Sequence, residues 1–175
     1  LVEGVGGWAA DVQAGVVPDG TLVRVTGIDP ALLMAAVPPA LQAIGAFELG
    51  LSAPAARGLK LTIPRPSGLI LETTDQIYVL REESVLGEAQ FSLIEIAVDH
   101  GDHLETASPP YCGASITGRY LVAVGSDLAE ASVTHSSTFA DVDWAVMTSD
   151  EITLAVAMDS GCNEVAMPRD DAFLL

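Results

Sequence analysis

The sequence predicts an all-β chain, an antiparallel β-sandwich of seven or more strands. Three observations carry that reading. Between Ala10 and Val124, short apolar segments are punctuated by Pro and Gly, as in AGVVPDGTLVRVTGIDP and GLKLTIPRPSGL. These segments recur at spacings of roughly 10–15 residues without amphipathic helices between them, which favours antiparallel strands over a parallel α/β sheet. Aromatics are 5% of a chain that is 50% hydrophobic, so Val, Leu, Ile and Ala must fill the core.

Each element follows from local chemistry. Pro18-Asp19-Gly20 is a turn, because Pro presets its own φ and Gly supplies a positive one. Thr21–Thr26 reads TLVRVT, with Val23 and Val25 on one side and Leu22, Arg24 and Thr26 on the other, which is strand alternation. Asp29-Pro30 caps and starts a short helical turn over Ala31–Ala36, which Pro38-Pro39 must end. Further strands are predicted at Ala46–Leu49, Leu59–Ile63, Gln76–Leu80, Phe91–Val98, Leu104–Thr106 and Arg119–Val124. Pro and Gly cluster between them at Pro64–Gly68 and Pro109–Gly113.

Composition shifts near Gly125. Residues 128–175 carry nine acidic residues against one base, Arg169, with strands predicted at Ser132–His135, Val142–Met147, Ile152–Met158 and Glu164–Met167. Two parts are therefore expected. Residues 1–127 form the sandwich module, and 128–175 a β extension that completes it or packs on a neighbouring copy.

The net charge is −17 and Lys60 is the single lysine. Such a surface repels nucleic acid and anionic membranes and attracts cations, calcium among them. No apolar run approaches the roughly 18 residues of a spanning helix, so no membrane span is predicted. The chain opens at Leu1 without a basic-then-apolar leader, as a processed product or an excised piece would. Cys112 and Cys162 are the only cysteines. They form either one disulfide in an oxidising compartment or two buried thiols. A disulfide would close a loop of about 50 residues and contribute on the order of 4 kcal/mol.

The order AADVQAGVVPDGTLVRVTGID, IGAFELG, GLKLTIPRPSGL, TDQIYVLRE and GRYLVAV resembles a β-sandwich domain found in zonula occludens proteins and uncoordinated-five netrin receptors, in its bacterial surface-protein form. The resemblance covers roughly residues 10–124. Gly15–Thr21 stands at the family's turn and Leu59–Pro64 at its later apolar strand. Gln13-Ala14 replaces the family's Ile-Pro before that turn, and the His-Phe-Ser at which some relatives self-cleave is missing. The resemblance implies a sandwich used for protein contacts, with no inherited active site.

Candidate chemistry is sparse. Asp99, His100, Asp102 and His103 are metal-ligand residue types around Gly101. Gly101 sits centrally between two strands, so a polar hairpin loop explains them well and is the favoured reading. Acidic pairs such as Glu82-Glu83 and Asp150-Glu151 read as a solvated surface, since neighbours on a strand face opposite ways. Ser115 lies outside any G-x-S-x-G elbow. Trp144, between Val142 and Val146, reads as core, whereas Trp8 follows glycines and is expected at the surface. Trp8, Phe173, Leu174 and Leu175 are the apolar residues that edge or terminal contacts would use.

The expectation is thus an antiparallel sandwich, immunoglobulin-like in general architecture, with no catalytic residues. It would work extracellularly or at the cell surface as a structural or adhesive module. Its partners would be identical copies, in a fibre or array, or adjacent modules. A calcium- or carbohydrate-binding module is one alternative, and a hydrolase using an acidic pair facing across a groove is another; no cofactor besides calcium is implied.

Overall fold

The computed structural model describes residues 1–85, 87–107, 113–126, 142–149 and 152–159. The chain divides into two compact units, Leu1–Asp127 and Leu128–Leu175.

The described part of the first unit is all-β, with nine strands: β1 (Val2–Glu3), β2 (Ala9–Asp11), β3 (Val23–Ile28), β4 (Gln42–Leu51), β5 (Lys60–Pro64), β6 (Asp75–Val85), β7 (Glu88–Asp99), β8 (His103–Thr106) and β9 (Gly118–Ser126). They join in one sheet in the order β1-β2-β5-β8-β7-β6-β9-β4-β3, with every neighbouring pair antiparallel. Its two ends meet where Val5 bridges Thr26, so the sheet is nearly closed and barrel-like. The antiparallel all-β class is as predicted. The two stacked sheets of a sandwich are replaced here by one curled sheet. Two register slips accompany the curl, one between Ala43 and Gly45 on β4 and one opposite Val79 and Leu80 of β6, where β7 carries the extra residue Ile94. Bulges of this kind bend a strand and raise its twist.

The strands predicted within residues 1–126 form, most of them longer than expected. β1 and β2 were not predicted; two and three residues are too short to show alternation. The helical turn is a single 3-10 turn, Pro30–Leu32, with the Asp29 carboxylate accepting from the Ala31 N–H at 2.9 Å. It stops before Ala36 because Leu33 is already extended.

Strand alternation sorts the core in two. The inner face carries Val25, Phe47, Leu49, Leu61, Ile63, Ile77, Val79, Leu104, Tyr120 and Val122, all buried. Phe47 stacks on Tyr120 with ring centroids 4.8 Å apart, and Trp8 lies 5.0 Å from Phe47 on its other side. The interior is therefore filled by side chains. The outer face carries a second buried row across four strands, Ala46, Leu121, Leu80 and Leu93, set by the register pairs; the first three are almost fully buried. The excursion 29–41 covers this face and buries Ala35 and Leu41. Each large aliphatic side chain so buried contributes about 1.5–3 kcal/mol.

In the second unit, β10 (Val142–Ser149) pairs antiparallel with β11 (Ile152–Asp159), from Val142 opposite Asp159 to Ser149 opposite Ile152. The strands predicted at Ser132–His135 and Glu164–Met167 lie outside the described residues.

Candidate functional site

The seam between β1 and β3 is the most distinctive surface feature. β3 pairs over its whole length with β4. On its other side, among the described residues, the one ladder contact is the Val5–Thr26 bridge. β1 is only two residues long and cannot cover more. Gly4 allows the approach: its N–H donates to the Trp8 carbonyl at 2.7 Å, and a Cβ there would collide with the Val25 carbonyl. Two large apolar side chains flank this edge in solvent, Val5 at 78% and Leu22 at 76% exposure. Leu1 is also exposed.

Trp8 holds the seam from inside. Expected at the surface, it is instead buried at 9% exposure. Its seat is made by two inward-facing glycines, Gly27 on β3 and Gly45 on β4. A Cβ on Gly27 would come within 2.8 Å of the indole Cδ1 and closer still to Nε1. A Cβ on Gly45 would touch Cη2 and Cζ2 at 3.6 Å. The glycines following Trp8 in space, not those preceding it in sequence, decide its position. The signal available in sequence was glycine inside a strand pattern, which marks close approach of another group.

The β7–β8 hairpin carries Asp99, His100, Asp102 and His103. The His100 N–H donates to the His103 carbonyl at 2.9 Å, and Gly101 at φ 90° completes the turn. The imidazoles of His100 and His103 stack at 5.0 Å. Asp99 is engaged elsewhere: its carboxylate accepts from the Gly101 N–H at 2.8 Å and from Arg65 Nε at 3.0 Å. The Gly101 N–H, with Arg65 behind it, holds the Asp99 carboxyl below its ordinary pKa. His103 Nδ1 is 2.6 Å from Asp102 Oδ1, and this contact lowers the Asp102 pKa. His100 Nε2 is 3.7 Å from Glu105, which pairs with Lys60 at 2.8 Å. The structure brings the four residues to one loop, but among the described residues no three His, Cys, Asp or Glu side chains converge as metal ligands would.

Glu82 and Glu83 point to opposite faces, as strand geometry requires. Glu83 pairs with Arg81, which is buried on the inner face beside Tyr120. Glu82 points outward, where its Oε1 accepts from the backbone N–H groups of Met34 and Ala35, the latter at 2.8 Å. Arg119 lies 4.0 Å from the same carboxylate and donates to the Leu32 carbonyl at 3.2 Å. One acidic side chain thus pins the covering excursion. Glu95 on β7 is fully buried, and its pairing with Val79 places it on the inner face. Neither Arg81 nor Glu95 carries a local signal in the sequence that marks it as buried.

A shallow depression of about 560 Å³ lies between Gly15–Asp19 and Pro54–Ala56, with Asp19 as its one ionisable residue. Cys112, Cys162, Phe173, Leu174 and Leu175 lie outside the described residues. No helix among the described residues is long and apolar enough to cross a membrane. No protein-family model, curated protein or solved structure matches the chain.

Proposed function

We propose that the chain is a non-enzymatic structural module. It acts at the cell exterior or surface and joins identical copies or adjacent modules through the edge of its sheet. The observation that carries this reading is the β3 edge, paired on one side over six residues and on the other, among the described residues, by a single bridge. An edge of that kind is a template for an added strand. Exposed Val5 and Leu22 on its rim supply apolar contact for whatever pairs there. The filled interior supports the same reading, because it leaves the chemistry of recognition to the outer surface. The strongly acidic composition keeps an otherwise hydrophobic chain soluble between assembly events. A disulfide between Cys112 and Cys162 would suit the oxidising exterior.

The test is the native mass, by light scattering coupled to size exclusion, of chain purified without denaturant. Dimers or larger assemblies are expected, and Leu22→Lys with Val5→Lys should reduce them to monomers while leaving the melting temperature within a few degrees. A monomer at every concentration overturns the reading.

A further inference from the structure

The geometry points to exchange of residues 1–12 between copies as the way the edge is used, with Gly15 as the hinge. This rests on the self-association reading above and names its mechanism. The segment holding β1, Trp8 and β2 is an arm that closes the sheet. It is joined to the rest by three residue pairs between β2 and β5 and by the Val5–Thr26 bridge. Its one large anchor is Trp8, in the seat over Gly27, Gly45 and Phe47. The occupant of this slot is therefore the arm itself. A second copy's arm carries the same strand and the same indole, and makes the same contacts at no loss.

The hinge is equally defined. Gln13, Ala14 and Gly15 are exposed between the arm and Val16, which is buried in the core with its carbonyl accepting from the Ala56 N–H at 2.7 Å. The chain reverses there in a tight turn, with the Val16 N–H donating to the Gln13 carbonyl at 3.2 Å and Gly15 at φ 78°. Short hinges are where arms exchange. No atom lies within 4 Å of the place a Gly15 side chain would occupy. A substitution there acts through the backbone alone. An exchanged arm runs straight on to the neighbouring copy and needs no positive φ.

In the closed chain the short tether keeps the arm at an effective concentration on the order of millimolar. Exchange between free copies is accordingly a millimolar event, and it becomes local where copies are held side by side. A β-branched residue at a positive φ is disfavoured, so Gly15→Val should raise the exchanged population about tenfold at a given concentration.

The experiment uses the full chain. Asp11 and Lys60 are opposite partners on β2 and β5, and the Cα separation of such partners, about 4.5–5.5 Å, suits a disulfide. Asp11→Cys chains are mixed with Lys60→Cys chains at millimolar concentration, then diluted and oxidised. Mass spectrometry reads the linkage between positions 11 and 60. A chain carrying both substitutions reports the closed geometry. Inter-chain linkage between the two positions, increased by Gly15→Val, is expected. Light scattering of the Gly15→Val chain without introduced cysteines gives a second readout, and dimers at concentrations where the parent is monomeric are expected. Linkage in the doubly substituted chain with none between the mixed singly substituted chains, or a Gly15→Val chain as monomeric as its parent at millimolar concentration, overturns the exchange. If copies associate without the 11–60 linkage, the exchange falls while the edge reading stands.

Discussion

The indole of Trp8 packs over Gly27, a contact between residues nineteen apart in sequence that lies beside the seam where the ends of the sheet meet. Gly27 faces inward opposite Phe47, so a side chain there would occupy the ring's own volume. Gly27→Ala should displace Trp8 and destabilise the first unit by about 1–3 kcal/mol, the range for overpacked cores. Trp8→Ala should cost about 3–5 kcal/mol, because it removes the largest ring of the interior stack. Denaturant midpoints check both. If Gly27→Ala leaves the midpoint unchanged, the indole is not seated there.

How far the sequence discloses this fold depends on whether the cause is local. Val23 and Val25 alternate with Arg24 and Thr26, and β3 forms there with Val25 inward. Asp29 before Pro30 is a cap, and its carboxylate holds the Ala31 N–H. Gly101 between two apolar runs is a hairpin turn, and the β7–β8 turn has it at positive φ. The features missed come from distant partners. Trp8 is buried by glycines on other strands. Glu82 captures backbone groups 47 and 48 residues away, with no local pattern to mark it. The pairing of nine strands into one curled sheet is set by contacts between distant segments, such as the Val5–Thr26 bridge, which period-2 alternation does not encode.

Glu82 gives a second prediction. Glu82→Ala strands the N–H groups of Met34 and Ala35, and Ala35 is buried. The cost should be about 1–3 kcal/mol, the range for unsatisfied donors. Glu82→Gln retains an acceptor oxygen and should cost less than half as much. Hydrogen exchange should rise at Met34 and Ala35 in the Ala variant first, ahead of the inner-face strands. Equal exchange in both variants would mean that the excursion is held by apolar packing alone.

The β7–β8 turn gives a third. Asp99 is engaged by Arg65 and the Gly101 N–H, and Asp102 by His103. Zinc or nickel should therefore shift the melting temperature by less than about one degree, since a ligand bound to the folded state at a hundred times its Kd contributes about 2.7 kcal/mol and would be readily seen. Chelator should leave the melting temperature of the untreated chain unmoved. A shift of several degrees that disappears in a His100→Ala, His103→Ala variant would make the hairpin a metal site after all.

Asp99 also sets a pH dependence whose sign is fixed by its partners. The Gly101 N–H and Arg65 favour its charged form, so its folded pKa lies below the ordinary value. An unfolded Asp titrates near 3.9. Above that pH both states are ionised and the stabilisation is fully present. As pH falls through the lowered folded value, folding must give up the pair, and the contribution is lost. Asp99→Asn removes the charge at every pH while the side chain can still accept from Gly101. Its penalty, at most about 1 kcal/mol for a partly exposed pair, should be constant from about pH 5 to 7 and shrink towards zero below about pH 4. Urea midpoints of the two proteins across pH 3–7 measure it. A penalty that persists undiminished at pH 3 would assign the role of Asp99 to its hydrogen bonds as a turn former, independent of charge.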